Sequence, residues 1–273
     1  MNARDEVLIT AAELARLIES GQPVTILDVR WRLDTPDGRP AYLEGHIPGA
    51  VYVSLDDDLS DHSVTGRGRH PLPSGGRLQD ALRRWGVRED HAVVVYDDWN
   101  RAGSARAWWV LRAAGLRTVR MLDGGLAAWL STGGELQTGD VDPEPGNVTV
   151  RHADLYAGAQ PALTAEQTGN VLLFDARAPE RYRGEVEPLD PVAGHIPGAR
   201  NLPFGTLLAP DGTLIVDDQL LPDGEVGTYC GSGVTAAVVV AAFAAAGRQV
   251  ALYPGSWSEW SSDPSRPVAR GDE

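Results

Sequence analysis

A single cysteine, Cys230, stands in a chain of 273 residues, which excludes any intramolecular disulfide. Long apolar runs are also missing: the longest, AAVVVAAFAAA at 236–246, is too short to span a bilayer and reads as a buried helix. The chain has no basic surplus either. Lys plus Arg total 24 against 38 for Asp plus Glu, and the net charge of -14 repels phosphate backbones and anionic membranes, so neither nucleic acid nor membrane is expected as a partner. The opening MNARDEVLIT lacks the basic-then-apolar plan of a secretory leader, which makes the cytoplasm the expected compartment. What remains is the balance of an ordinary globular protein, 42% apolar and 23% charged, with length for about two domains.

One phrase occurs twice. GHIPGA stands at 45–50 and again at 194–199, placing His46 and His195 in equivalent positions. Further matches follow in the same order: ILDVR (26–30) with LFDAR (173–177), VVVYD (93–97) with VGTYC (226–230), and GGLAAW (124–129) with GSWSEW (255–260). Four ordered matches at so long a period imply two copies of one domain and not a stacked array. The boundary falls in QTGDVDPEPGN, rich in Pro, Gly and Asp, which reads as an exposed linker. The expected division is a first domain at 6–135, a linker at 136–155 and a second domain at 156–265.

Within each copy, short Val/Leu/Ile-rich runs alternate with amphipathic stretches, the pattern of an α/β fold with a mostly parallel sheet flanked by helices. Strands are predicted at 24–29, 51–53, 92–96 and 118–122, with helices at 10–19, 75–85, 103–114 and 124–132. In the second copy strands are predicted at 171–175, 200–202, 225–229 and 250–253, with helices at 164–168, 233–246 and 256–261. Sites in such sheets gather at the carboxyl ends of strands, and Cys230 lies at one.

The stretch TYCGSGVTA admits two readings. In one, Cys230 is a small buried hydrophobe at an ordinary strand–helix turn. In the other, its thiolate faces the free N–H groups of the loop and the positive end of the following helix. Gly231 and Gly233 permit the inward-pointing amides, while Ser232 and Thr235 add hydroxyls. The first copy has Asp97 in the cysteine's place, followed by DWNRAGSARA. That copy is expected to be catalytically silent, with Asp97 a cap or surface carboxylate, or else a residual acid of another site.

The duplicated domain, the paired GHIPGA phrases, CGSGVTA and GSWSEW together resemble the two-domain rhodanese family of sulfurtransferases over about residues 6–262. The resemblance implies two rhodanese-like domains in tandem and a thiolate of Cys230 that attacks the sulfur of 3-mercaptopyruvate or thiosulfate. It holds that sulfur as a persulfide and passes it to cyanide or to a thiol acceptor such as thioredoxin. The six-residue cradle, Cys230, Gly231, Ser232, Gly233, Val234 and Thr235, would stabilise the persulfide through its amides. No cofactor and no metal are implied. The uncharged loop resembles the 3-mercaptopyruvate branch, since the thiosulfate branch carries basic side chains there.

By itself Arg181, in ERYRG, reads as a surface arginine. The resemblance makes it the fork that binds the donor's acidic oxygens. The mercaptopyruvate branch has a second arginine within the stretch that here reads VEPLDPVAGH. This chain has Leu189 there, with Arg177 or Arg183 as substitutes. His46 and Asp37 resemble the inter-domain polar pair that supports the loop serine. A histidine before Ile-Pro-Gly is equally a turn residue bonding a carbonyl, the role expected of His195. Trp260 is expected in the core, and Trp257 there or at the pocket. Two rivals are a thiolate phosphatase of the same domain fold and a non-enzymatic binding or redox-sensing module. The first needs an arginine at the loop's end, where 236 and 237 are both alanine.

Overall fold

The structure, a computed structural model, describes residues 2–217 and 224–272. The first half builds a sheet from β1 (Leu8–Ile9), β2 (Val24–Asp28), β3 (Val51–Tyr52), β4 (Ala92–Tyr96) and β5 (Val119–Leu122), in the order β1-β5-β4-β2-β3. The second builds one from β6 (Leu172–Asp175), β7 (Arg200–Asn201), β8 (Val226–Tyr229) and β9 (Ala251–Leu252), in the order β7-β6-β8-β9. Every pairing between these strands is parallel. Laid over one another, the two sheets share one strand order. Only β1 is extra, and at its place the second half has a single bridge between Ala162 and Leu252.

The helices are α1 (Ala3–Val7), α2 (Ala11–Glu19), α3 (Arg39–Glu44), α4 (Gly75–Arg84), α5 (Ala102–Ala113), α6 (Gly125–Ser131), α7 (Pro179–Tyr182), α8 (Ala236–Ala245) and α9 (Ser256–Trp260). α2 starts where Thr10 and Glu13 form a reciprocal capping box. The sequence reading lacks α1, β1, α3 and α7, because elements of two to six residues are too short to display a period. It also places the start of α8 early, since residues 231–235 form a loop, and the predicted helix at 164–168 is a 3-10 turn over Ala165–Asn170.

α5 and α8, the helices that follow the two equivalent loops, are buried on every face and pack against each other. One continuous apolar core therefore runs through both halves, from Leu78 and Trp108 to Val239 and Val250. The connection at 132–154 contains no helix or strand, yet it is no loose tether: Gln137 pairs with His46, Gly146 N–H donates to Arg83 O, and Asn147 N–H to Val87 O.

The matched phrases are structural braces. Arg30 Nε donates to both oxygens of Asp28 at 3.0 Å, and Arg177 Nε does the same to Asp175 at 3.0 and 3.1 Å. In each GHIPGA turn the histidine stacks on a tyrosine and its Nδ1 reaches that tyrosine's carbonyl, His46 to Tyr42 at 3.0 Å and His195 to Tyr182 at 2.9 Å.

Candidate active site

Cys230 directly follows β8 and is buried. Its N–H donates to Ser256 Oγ at 3.1 Å, its carbonyl accepts from Trp257 N–H at 3.0 Å, and Gly231 O accepts from Ser258 N–H at 2.9 Å. The start of α9 thus pins the base of the loop. Gly233 sits at φ 76°, and a Cβ there would overlap the Pro254 carbonyl oxygen, so only glycine fits. Val234 is buried in an inter-domain cluster with Trp31, Leu55 and Ala102, which anchors the loop to the first half. Among the described residues, the backbone N–H groups of 231–235 donate to no protein acceptor. They are five donors held in the turn beside the sulfur.

The equivalent loop of the first copy shows what such a cradle can hold. Asp97 occupies the position of Cys230 and is buried. Its carboxylate accepts from the N–H groups of Trp99, Arg101 and Ser104 at 3.0–3.2 Å and from Ser104 Oγ at 2.6 Å, and it pairs with Arg101 at 2.8 Å. The first domain therefore carries an anion of its own in the cradle. Asp97 is a cap, as the sequence suggested, though not on the surface.

Ser232 does not meet His46 or Asp37. Its hydroxyl lies 2.8 Å from His70 Nδ1, and His70 Nε2 lies 3.2 Å from Asp56 Oδ1. His46 is committed to its own turn, and Asp37 accepts from Arg39 N–H and Tyr52 OH at the start of α3. The expectation for these two is corrected to His70 and Asp56. The repeat held the clue: a histidine present in both copies, when only one copy has a thiol, belongs to the fold. His70 lies in the single-copy stretch GRGRHPLP, which has no regular structure and no period to draw attention to it.

Burial lowers the His70 pKa, outweighing the neighbouring Asp56, whose own pKa is lowered first by its hydrogen bond to His70. His70 is therefore neutral near pH 7. The carboxylate fixes the proton on Nε2, leaving Nδ1 to accept from Ser232. Beneath the loop, Arg106 of α5 is completely buried and donates to the carbonyls of Gly233, Leu59 and His70 at 3.3, 3.2 and 2.9 Å. Burial pushes its pKa down to about 10, which leaves it charged.

A cavity of about 220 Å³ opens onto Cys230, and its lining includes Ser232, Thr235, Arg69, Arg181 and Leu189. It is smaller than the roughly 300–1,000 Å³ of drug-sized sites and suits a donor of a few atoms. Arg181 Nη2 is tied to both oxygens of Glu187 at 2.7 and 2.9 Å, while Arg69 pairs with Asp190. Neither proposed substitute for the missing arginine serves. Arg177 is buried, locked to Asp175 and Glu187 and stacked on Trp257, and Arg183 pairs with Glu185 outside the cavity lining. Leu189 is exposed at the mouth. Trp257 is fully buried with Trp260 and packs in the core. α8 begins with the buried Ala236 and Ala237, so no phosphate-gripping arginine stands at the loop's end.

The sequence profile of the rhodanese-like domain matches residues 10–132 and 159–263. The chain belongs to the rhodanese family. It is 65% identical to a putative thiosulfate sulfurtransferase of Mycobacterium tuberculosis over 99% of both chains. It is 44% identical to a probable 3-mercaptopyruvate sulfurtransferase of Pseudomonas aeruginosa over 97% of this chain and 98% of that one. Among solved structures, the 3-mercaptopyruvate sulfotransferase of Escherichia coli aligns with a TM-score of 0.78 at 32% identity, over 92% of this chain and 98% of that one. This two-domain rhodanese is accordingly an enzyme of sulfur transfer, which removes the binding-module alternative. No helix among the described residues is long and apolar enough to cross a membrane.

Proposed function

We propose that the enzyme takes sulfur from 3-mercaptopyruvate through a persulfide on Cys230 and delivers it to a reduced thiol such as thioredoxin, or to cyanide, with thiosulfate a slower donor. The observation that carries the reading is the chain Ser232–His70–Asp56 beside Cys230. When the Cys230 thiolate attacks the donor sulfur, the S–C bond breaks and its electron pair leaves on the pyruvate enolate. That carbon must acquire a proton, and the donor thiol must lose one. The balance is CysS⁻ plus HSCH₂COCOO⁻ giving CysSS⁻ plus CH₃COCOO⁻. A hydroxyl held by a neutral histidine and a carboxylate is suited to move that proton. Sulfite leaving thiosulfate needs none.

The charge around the sulfur supports the same donor. The loop 231–235 has no basic side chain, and the nearby Arg69 and Arg181 are each paired with a carboxylate, so a dianion meets little uncompensated positive charge. The five free amides would hold the persulfide anion. A persulfide relay to thiols operates where thiols stay reduced, which supports the cytoplasm as its compartment.

Side-by-side kinetics of wild type and Ser232→Ala test this. Mercaptopyruvate should lead in kcat/KM, and the substitution should depress that donor by roughly a hundredfold, the usual scale of general acid–base assistance, while barely touching thiosulfate. A thiosulfate preference, or an equal loss on both donors, would contradict the reading.

A further inference from the structure

A trans peptide is planar, so its carbonyl and the N–H of the next residue point in opposite directions, and whatever grips the one aims the other. No peptide bond among the described residues is cis, and three carbonyls of the sulfur loop are gripped by groups that do not line the cavity. Trp257 N–H holds Cys230 O at 3.0 Å and Ser258 N–H holds Gly231 O at 2.9 Å, both from α9 of the same domain. The third grip comes from the other half of the molecule, where Arg106 Nη1 of α5 donates to Gly233 O at 3.3 Å. Its Nη2 donates to Leu59 O and His70 O at 3.2 and 2.9 Å. Arg106 is wholly buried, and among the described residues no carboxylate pairs with it. A guanidinium buried in that way is costly, and the apolar neighbours on α5 and α8 do not call for it. Without its grip the peptide between Gly233 and Val234 is free to turn over, since glycine tolerates the backbone angles on either side of such a flip, and a carbonyl would then replace the N–H on the cavity side.

We propose that Arg106 is a positioning residue for sulfur transfer: from the first domain it holds the 233–234 peptide so that the Val234 N–H faces the sulfur on Cys230 as a donor. The same fork grips the stretch that carries His70, so one side chain sets the amide cradle and the chain Ser232–His70–Asp56 in register. This inference rests on the persulfide reading of Cys230, and the test separates the two.

The dipeptide Gly-Val occurs twice in the chain, as Gly86-Val87 and Gly233-Val234. Labelling glycine carbonyls with carbon-13 and valine nitrogens with nitrogen-15 therefore leaves two peaks in an HNCO spectrum: Val234, and Val87 as a control whose N–H is bonded to Leu82 O at 2.9 Å. Loading the wild type with sulfur from 3-mercaptopyruvate should move the Val234 amide proton downfield, as an anion accepts from it, and leave Val87 in place. Arg106→Lys keeps a positive charge but loses the fork. Its Val234 peak should lose that response, and kcat should fall by roughly a hundredfold, the scale of one misplaced oxyanion donor. KM should change far less, because Arg106 does not line the cavity. Val87 at its wild-type position shows that the variant has folded; if that peak has moved, Arg106→Gln, with one planar amide in the guanidinium's place, carries the comparison. In the wild type, a Val234 peak that stays still while the intact mass shows sulfur on Cys230 overturns the inference by itself. A wild-type response and kcat in folded Arg106→Lys would overturn it too. No sulfur on Cys230 would overturn the proposed function beneath it.

Discussion

The chain contains no lysine, so every fixed positive charge near Cys230 is a guanidinium, and each is placed by a carboxylate or by carbonyls. Among single residues the thiol is the one proposed to carry the chemistry. Cys230→Ser should cut turnover by roughly a thousandfold or more, since an alkoxide neither forms at neutral pH nor carries sulfur. Far-UV circular dichroism should stay unchanged, and turnover within tenfold of wild type would contradict the role. His70 is the group expected to set the pH dependence. Its pKa lies below the ordinary 6.5 because its charged form is buried. Between those two values the unfolded chain binds a proton that the folded one refuses, so stability should fall as pH drops through that window. The acid limb of kcat/KM for 3-mercaptopyruvate should likewise lie below 6.5 and disappear in His70→Gln; a limb unmoved by that substitution assigns it to another group.

At the scale of elements, the loop between β8 and α8 is defined by what its neighbours forbid. Gly233→Ala forces a side chain into the left-handed region and against the Pro254 carbonyl. It should cost about 1–3 kcal/mol in urea unfolding and lower turnover with it; unchanged values would mean that the loop is not held as described. The equivalent loop of the first copy makes the opposite prediction. Asp97→Ala leaves the buried Arg101 without its partner and should destabilise by about 3–5 kcal/mol, yet turnover per folded molecule should be unaltered. A loss of turnover as deep as that of Cys230→Ser would show that the copies share the chemistry. These elements were legible in the sequence because the duplication displays each loop twice, so Cys230 against Asp97 separates chemistry from fold. The same comparison exposes His46 as a fold residue. Asp56, Arg69 and His70 were not legible, since they occur once, in a stretch without period, and meet Ser232 only through domain docking that spacing does not encode.

On the scale of the whole molecule, the two halves form one body. The facing helices α5 and α8 are buried on nearly every side, and Arg106, His70 and Arg69 reach from the first half into the loop of the second. Residues 156–272 expressed alone should therefore lack a cooperative thermal transition, because α8 would face water; a cooperative melt with wild-type turnover would show the first half to be dispensable. The claim on which all else depends is that donor sulfur passes through Cys230. Mass spectrometry of the intact protein after a pulse of 3-mercaptopyruvate, with the donor removed, tests it directly. The account predicts a gain of one sulfur atom, mapped to the peptide containing Cys230, lost on adding cyanide or a reduced thiol, and absent in Cys230→Ser. Pyruvate formation with no sulfur on Cys230, or an equal gain in the serine variant, would contradict it.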